Sequence, residues 1–237
     1  MKRREFLRKG LALGTATMLP NVGISALPVR VTEPLMPIWE AAVGGHWNIV
    51  KEWLRLDPSL INVTGRALIF DGGCLKEELP LFHLAARLNP NVDFLKFLVS
   101  LGADVHTLDE DAATPLHHAA EYNSNVEVLH YLVTHGADVH AKNCADSTPL
   151  HYAAYCNSNV EIMHYLVLQG ADVNATNSLD CTPLYYAISA NLNVKVLQYL
   201  ISQGADVNAK DNAGNTPLYY ADTNEKKRIL REAMGRV

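Results

Sequence analysis

A seven-residue phrase recurs every 34 residues through the second half of the chain. It reads TPLHHAA from Thr114, TPLHYAA from Thr148, TPLYYAI from Thr182 and TPLYYAD from Thr216. A second phrase, GADV followed by His or Asn, recurs with the same period. A fixed period of this length is typical of stacked supersecondary units, none of which can bury its apolar face without its neighbours. The sequence therefore predicts a stack of repeated units.

Each unit is predicted to contain two helices. The Thr of the phrase can cap the free amides of a new helix, and the Pro that follows suits the first helical position. The small side chains of Ala119 and Ala120 let a second helix approach the first closely. This second helix follows Asn125, Asn159 or Asn193 with apolar residues at helical spacing, and it ends at a Gly, where a left-handed cap is expected. A polar, turn-rich loop then leads to the next Thr-Pro.

The units resemble ankyrin repeats, which combine a TPLH-type helix start, two antiparallel helices and a GADVNA loop that projects as a finger. The resemblance implies an all-α ankyrin-repeat solenoid with projecting finger loops. Ankyrin repeats usually span about 33 residues, and the additional residue here lies between the two helices, in YNSN near Tyr122 and in CNSN near Cys156. The period also fits tetratricopeptide repeats, but their Trp-Leu-Gly-Tyr and Ala-Phe-Pro spacings are absent from the sequence.

Less regular copies extend the array at both ends. LPLFHLAA from Leu79 and MPIWEAA from Met36 are interpreted as two further helix starts, and the charged segment NEKKRILREAM suits a terminal cap. The predicted repeat domain spans residues 36–237 and contains six repeats, the first and last being caps. The repeats begin near Met36, Leu79, Thr114, Thr148, Thr182 and Thr216.

A longer connection, residues 64–78, separates the first two repeats. Its ALIFDGGC segment could form a small hairpin around Asp71 and Gly72. A disordered insertion is the alternative, and the sequence does not choose between the two.

The first 26 residues resemble a twin-arginine export signal. Arg3 and Arg4 are paired, and a mildly apolar stretch leads to a small-residue cleavage point after Ala26. The apolar stretch is short and rich in Gly and Thr, so no stable membrane insertion is expected after cleavage. Residues 27–35 would form a linker, and the mature protein is predicted to reach a bacterial periplasm. A basic amphipathic arm on a cytoplasmic protein is the alternative.

The body of the chain is acidic. The full sequence has 20 basic and 25 acidic residues, and residues 1–26 hold five of the basic and one of the acidic ones. Their removal leaves 15 basic and 24 acidic residues, a net charge of −9. Such a body repels phosphate backbones, which argues against a nucleic-acid partner. The densest acidic run, residues 109–111, falls on a predicted finger, where it is either solvated or meets a basic patch of a partner.

Neither a metal site nor a catalytic motif is evident in the sequence. Most of the ten histidines occupy repeated positions, and repeat-equivalent side chains stand too far apart to share one zinc ion, whose ligands lie about 2 Å from the metal. The motifs GxSxG, HExxH and GxxxxGK and the Rossmann glycine pattern are absent from the sequence. We therefore expect no catalytic, cofactor-binding or metal site.

The four cysteines, Cys74, Cys144, Cys156 and Cys181, lack CxxC spacing. Cys144 and Cys181 fall on successive fingers, where equivalent points lie about 8 to 10 Å apart. A disulfide needs alpha carbons within about 7 Å. Free thiols are the default prediction, and an oxidising compartment leaves a bridge open.

Partners of ankyrin-repeat proteins usually contact the concave face, made by the fingers and the residues just after Ala-Ala. Tyr122 and Tyr155 are the strongest candidates for contact hot spots, because tyrosine joins a large rigid ring to a polar tip. Carried over position by position, the resemblance implies a partner-binding set of Arg87, Leu88, Glu110, Asp111, Glu121, Tyr122, Cys144, Ser147, Tyr155, Cys156, Ser178, Leu179, Asn212 and Asn215.

The resemblance also implies a structural role for His117 and His151, whose rings would make hydrogen bonds between loops. Tyr185 and Tyr219 stand at the equivalent positions of the last two repeats. A phenol cannot reproduce both ring nitrogens of histidine, which weakens the implication there. Rings at the next position are expected to pack partly between helices. These rings are Tyr152, Tyr186 and Tyr220.

These features together predict a non-catalytic, monomeric scaffold that binds a partner protein on the concave face. Repeats take up almost the whole predicted mature chain, which leaves no residue set for chemistry. One alternative is an accessory protein that shields or positions an exported redox enzyme, with Cys144, Cys156 or Cys181 as a reactive thiol. The other is an enzyme whose site the sequence does not reveal.

Overall fold

The structure is a computed structural model that describes residues 38–62, 64–66 and 78–235. The predicted export signal and linker, Cys74 and the predicted hairpin tip at Asp71 lie outside these described residues. None of the described helices is long and apolar enough to cross a membrane.

Six helix pairs follow one another along the described chain, which confirms the all-α repeat solenoid that the ankyrin resemblance implies. A 3-10 helix, Pro58–Asn62, follows the first pair. Strand β1 (Thr64–Arg66) then pairs antiparallel with β2 (Glu78–Pro80) and joins the two ends of the longer connection. The pairs are α1 (Ile38–Val43) with α2 (Trp47–Leu56), α3 (Leu81–Leu88) with α4 (Val92–Ser100), α5 (Pro115–Tyr122) with α6 (Val126–Thr134), α7 (Pro149–Cys156) with α8 (Val160–Leu168), α9 (Pro183–Ser189) with α10 (Val194–Ser202), and α11 (Pro217–Tyr220) with α12 (Asn224–Met234).

The apolar core continues from one pair to the next. Ala119 and Ala120 of α5 are fully buried, and this small surface lets α5 pack against both α3 and α7. The second helices contribute larger buried side chains, such as Leu129 and Leu132 of α6. Each repeat therefore buries its apolar face against its neighbours, as expected for a repeat array.

A positive-φ glycine follows the second helix of four pairs, as the sequence predicts. The φ values lie between 89° and 97°, a region that glycine adopts without the steric cost of a Cβ. The four residues are Gly102, Gly136, Gly170 and Gly204.

A histidine near the start of α5 fixes the helix and also joins it to the next repeat. The Thr114 backbone N–H donates to His117 Nδ1 at 3.1 Å. Because Nδ1 accepts, the ring proton lies on Nε2, which donates to the Ser147 carbonyl oxygen at 3.0 Å. His151 makes the equivalent contacts at the start of α7. The hydrogen bonds between loops that the resemblance implied are therefore present.

Tyr185 replaces this histidine in α9 and keeps only part of its contacts. Its hydroxyl lies 2.5 Å from the carbonyl oxygen of Asn215 and 2.8 Å from that of Ala209, so the link to the next loop survives. The buried Oγ1 of Thr182 has no hydrogen-bond partner within the described part of the chain, because no ring nitrogen faces it. The prediction that a phenol cannot serve for both ring nitrogens is confirmed. Tyr219, at the same position in the last pair, is 72% exposed.

Buried asparagines link the turns between paired helices, where the additional residue of each repeat lies. Asn123 Nδ2 donates to the carbonyl oxygens of Ala86 at 2.8 Å and Asn89 at 2.9 Å, both in the preceding repeat. Its Oδ1 accepts from the backbone N–H two residues later, just before α6. Asn157 and Asn191 repeat this pattern. The longer turn therefore holds a hydrogen-bonded connection from repeat to repeat.

In the last repeat a lysine makes the corresponding connection. Lys226 is only 3% exposed and donates from Nζ to the Ile188 carbonyl oxygen at 2.6 Å, with Asp222 Oδ1 3.0 Å from the same nitrogen. A terminal cap is expected to turn its charged side chains outward, and Arg228 and Glu232 of α12 do so. Lys226 is the exception, because it satisfies a carbonyl at the end of the preceding first helix.

Candidate functional site

The finger loops form one hydrogen-bonded row. Cys144 N–H donates to the Asp111 carbonyl oxygen of the preceding finger at 2.8 Å. The same bond recurs at the next two boundaries, with lengths of 3.0 and 3.1 Å. Loops joined in this way present their side chains at fixed spacing, which lowers the entropy cost of binding. The fingers comprise residues 103–113, 137–147, 171–181 and 205–215.

One asparagine braces each of the two middle fingers and ties it to a first helix. Asn143 Oδ1 accepts from the backbone N–H groups two and four residues later, at 3.0 and 2.9 Å. Its Nδ2 donates to the Tyr152 hydroxyl on α7 at 2.9 Å. Asn177 and Tyr186 make the same contact at 2.7 Å. Both rings are partly buried against the helices, as the sequence predicts.

The flanking fingers use aspartate at the same position, and the hydrogen-bond direction reverses. His118 Nε2 donates to Asp109 Oδ2 at 2.6 Å, and the Tyr220 hydroxyl donates to Asp211 Oδ2 at 2.5 Å. Burial alone would raise the pKa of Asp109, but the hydrogen bond from His118 and the electrostatic interaction between the two side chains outweigh it and hold that pKa below its ordinary value. Each finger is therefore hydrogen-bonded to a first helix, whether the residue at its base is asparagine or aspartate.

A groove of about 350 Å³ lies between these fingers and the first helices. Five residues of the predicted partner-binding set line it: Arg87, Asp111, Glu121, Ser147 and Tyr155. Ala145, a finger position that the resemblance also implies, lines it too, and six further lining residues escaped the sequence analysis as contact residues: Asp109, His118, Asn143, His151, Tyr152 and Tyr186. For most of them the signal in the sequence is the 34-residue period of the finger base and of its partner nine residues later, as in Asn143 and Tyr152.

Arg87 lies in the floor of the groove and is not a freely exposed contact residue. It is 2% exposed, and its guanidinium carbon sits 4.0 Å from the centre of the Tyr122 ring. Its Nη1 lies 3.3 Å from Glu121 Oε2 and 3.5 Å from His118 Nδ1. Because a guanidinium can only donate, His118 Nδ1 is placed to accept while Nε2 donates to Asp109. Arg87 therefore offers little exposed surface for the contact role that the resemblance implies, which stays a prediction.

The predicted partner-binding set divides into exposed, partly buried and buried members. Tyr122 is partly buried, which raises the pKa of its phenol, and its hydrogen bond with Cys156 adds to this effect. Members at finger tips and at the groove edge are exposed: Glu110, Asp111, Cys144, Tyr155, Ser178, Leu179 and Asn212. Partly buried members are Leu88, Glu121, Tyr122, Cys156 and Asn215, and the buried members are Arg87 and Ser147. The exposed members lie mostly on the fingers.

The three described cysteines form no disulfide with one another. Cys144 is exposed, whereas Cys156 and Cys181 are partly buried. Burial raises the pKa of the Cys181 thiol, which the nearby Asp211 and Asp180 carboxylates reinforce. Among the described residues no three His, Cys, Asp or Glu side chains converge as metal ligands would.

Comparison with known proteins identifies a family for this chain. No curated protein matches the chain. The family model described as ankyrin repeats matches residues 82–177 and 156–232, which together cover more than half of the sequence. Helices α4 to α11 and all four described fingers lie within these limits. The chain therefore belongs to the ankyrin repeat family.

Proposed function

We propose that this chain is a non-catalytic scaffold that binds a partner protein along its fingers and first helices. Ankyrin repeats imply a protein-interaction scaffold in general. For this chain, the observation that carries the proposal is the groove beside the row of linked fingers. Tyr155, at the groove edge, is 44% exposed, and Leu179, on the third finger, is 52% exposed. Tyrosine on a rigid frame is typical of contact hot spots, and the exposed leucine adds apolar surface that a partner can bury.

Crosslinking in the native cell, followed by identification of co-purifying proteins, tests this proposal. We expect the double change Tyr155→Ala and Leu179→Ala to reduce capture of the specific partner at least tenfold, because each removed hot spot is worth about 1 to 2 kcal/mol. The matched control is Leu192→Ala. Leu192 is 93% exposed in the turn between α9 and α10, away from the groove lining. Equal loss with the control, or no loss with the double variant, contradicts the proposal.

A redox accessory role is the second candidate, favoured by one observation. Cys144 is exposed on the second finger, and its Sγ lies 3.8 Å from Asp111 Oδ1. If the partner is an exported redox enzyme that this chain shields or positions through a thiol, the change Cys144→Ser should abolish capture in the same crosslinking experiment. Retained capture with this variant supports the plain scaffold over the thiol-dependent role.

We propose further that the protein is exported to a bacterial periplasm by the twin-arginine route. The proposal rests on the paired Arg3 and Arg4 and on the small-residue cleavage point after Ala26. We expect mass spectrometry of the protein from native cells to find Leu27 as the mature N-terminus. Changing both arginines to lysine should leave the protein uncleaved in the cytoplasm. An uncleaved wild-type protein in the cytoplasm would favour the alternative of a basic arm on a cytoplasmic protein.

A further inference from the structure

The groove carries an excess of negative charge. Among the described residues, its lining includes the carboxylates of Asp109, Asp111 and Glu121 and, as the single permanent cation, Arg87. Asp109 is already bonded to His118. Glu121 faces the buried Arg87, but its side chain retains 12% exposure toward solvent. Asp111 is exposed on the first finger. The groove therefore favours a cationic group over an anionic or a neutral one.

The first helices present a stripe of repeat-equivalent side chains along this groove. Arg87, Glu121 and Tyr155 stand 34 residues apart, on α3, α5 and α7. Arg87 and Glu121 already form an ion pair, with 3.3 Å between Nη1 and Oε2. Neighbouring packed helices lie about 8 to 10 Å apart, and Glu121 and Tyr155 therefore follow one another along the same side of the groove that both of them line.

One arginine of the chain already contacts both an aromatic ring and a carboxylate at this face. The Arg87 guanidinium lies over the face of Tyr122 at 4.0 Å and beside Glu121. One repeat further on, Tyr155 and Tyr186 form an edge-to-face pair with 5.9 Å between ring centres, and both line the groove. Tyr155 is still 44% exposed. The aromatic surface therefore lies in the same groove as the carboxylates, and no cation in the described part of the chain stacks on it.

We propose that the groove binds an arginine side chain of the partner protein, seated between Glu121 and Tyr155 with Asp111 at its rim. The inference rests on the proposed scaffold function and specifies the chemistry of the partner. A guanidinium is planar, stacks on aromatic rings and donates to carboxylates through a rigid fork. Lysine offers a compact, strongly hydrated charge that matches only the carboxylates. The groove therefore favours arginine.

Three short peptides provide the probe: acetyl-Gly-Ser-Arg-Ser-Gly-amide and the same peptide with citrulline or lysine in place of arginine. Ring resonances of Tyr155 and Tyr186, assigned from single Tyr→Phe variants in the full chain, report binding by NMR. We expect the arginine peptide to shift both rings saturably, and the citrulline peptide to bind at least fivefold more weakly. Equal binding of citrulline, binding of lysine as tight as that of arginine, or no saturable shift with arginine contradicts the proposal.

Two charge variants test the position of the bound group. We expect Asp111→Asn and Glu121→Gln each to weaken the arginine peptide threefold to tenfold, because each removes one charged contact. Asp111 makes no side-chain contact with Arg87 in the structure, so its variant tests the site even if Glu121→Gln disturbs the buried ion pair. The control is Asp180→Asn, an exposed acid on the third finger outside the groove lining. Equal weakening by the control would assign the effect to overall charge and reject the site.

The captured partner separates failure of this inference from failure of the scaffold function. If Tyr155→Ala and Leu179→Ala abolish capture, while Asp111→Asn leaves it unchanged and the arginine peptide does not compete, the scaffold function stands and the arginine site is rejected. If the double variant leaves capture unchanged, the scaffold surface itself is rejected. If the arginine peptide competes with the partner and the Asp111→Asn variant loses capture, both the scaffold function and the arginine site are supported.

Discussion

Lowering the pH from about 7.5 to about 5 is expected to reduce the free energy of unfolding by about 6 kcal/mol. Three buried histidines cause this loss. Burial lowers the pKa of His83, His117 and His151 from 6.5 to about 4, with repulsion by His118 as a further cause at His83. Between these values the unfolded chain binds protons that the folded chain does not. The stability is therefore present above about pH 6.5 and is lost as the pH falls toward about 4.

Urea unfolding at a series of pH values measures this effect, which amounts to about 2 kcal/mol per histidine at about pH 5. The control variant is His151→Gln, whose neutral amide can still donate to the Cys181 carbonyl oxygen. This variant should be less stable than the wild type at about pH 7.5, but its loss on acidification should be about one third smaller. Stability that stays constant over this range, or an unchanged slope in the variant, contradicts the prediction.

Replacing Asn157 by alanine is expected to lower the free energy of unfolding by about 3 to 5 kcal/mol. Asn157 is 6% exposed, and its Nδ2 donates to the carbonyl oxygens of Ala120 at 2.9 Å and Asn123 at 3.0 Å. Its Oδ1 accepts from the Asn159 N–H at 2.9 Å. The substitution removes three hydrogen bonds and leaves buried backbone groups unsatisfied, each of which costs about 1 to 3 kcal/mol.

The neighbouring residue Ser158 offers a matched control for this prediction. Ser158 is exposed in the same turn, so Ser158→Ala should change the stability by less than about 0.5 kcal/mol. Chemical denaturation of both variants gives the comparison. A loss below about 1 kcal/mol for Asn157→Ala would show that water replaces the side-chain contacts and that the asparagine connection is not a major source of stability.

The helix starts, the glycine caps and the repeat architecture could be predicted because each depends on residues close together in the sequence. Thr-Pro and Gly act through local backbone geometry, and a fixed period forces equivalent positions into equivalent surroundings. The failure of Tyr185 to replace both histidine nitrogens was likewise predictable, because it follows from the donor and acceptor inventory of a phenol. The unpartnered Oγ1 of Thr182 is its structural consequence.

Part of the candidate site could not be predicted, since its contacts join different repeats. Position alone placed Arg87 in the partner-binding set, but its burial depends on Tyr122 and Glu121, which approach it only after α3 and α5 have packed together. Lys226 is similar. Its charged neighbours in α12 predict an outward direction, whereas the Ile188 carbonyl, 38 residues earlier in the chain, draws its ammonium group inward.

By itself the sequence determined that the chain forms a stack of paired helices joined by finger loops, because period, caps and turn residues are local and repeated. Only the tertiary structure decided which side chains of that stack remain available to a partner. Tyr155 is exposed and Arg87 is buried, although both occupy the same position in their repeats. The physical reason is that exposure depends on what the adjacent repeat places against each side chain, and that neighbour lies more than 30 residues away in the sequence.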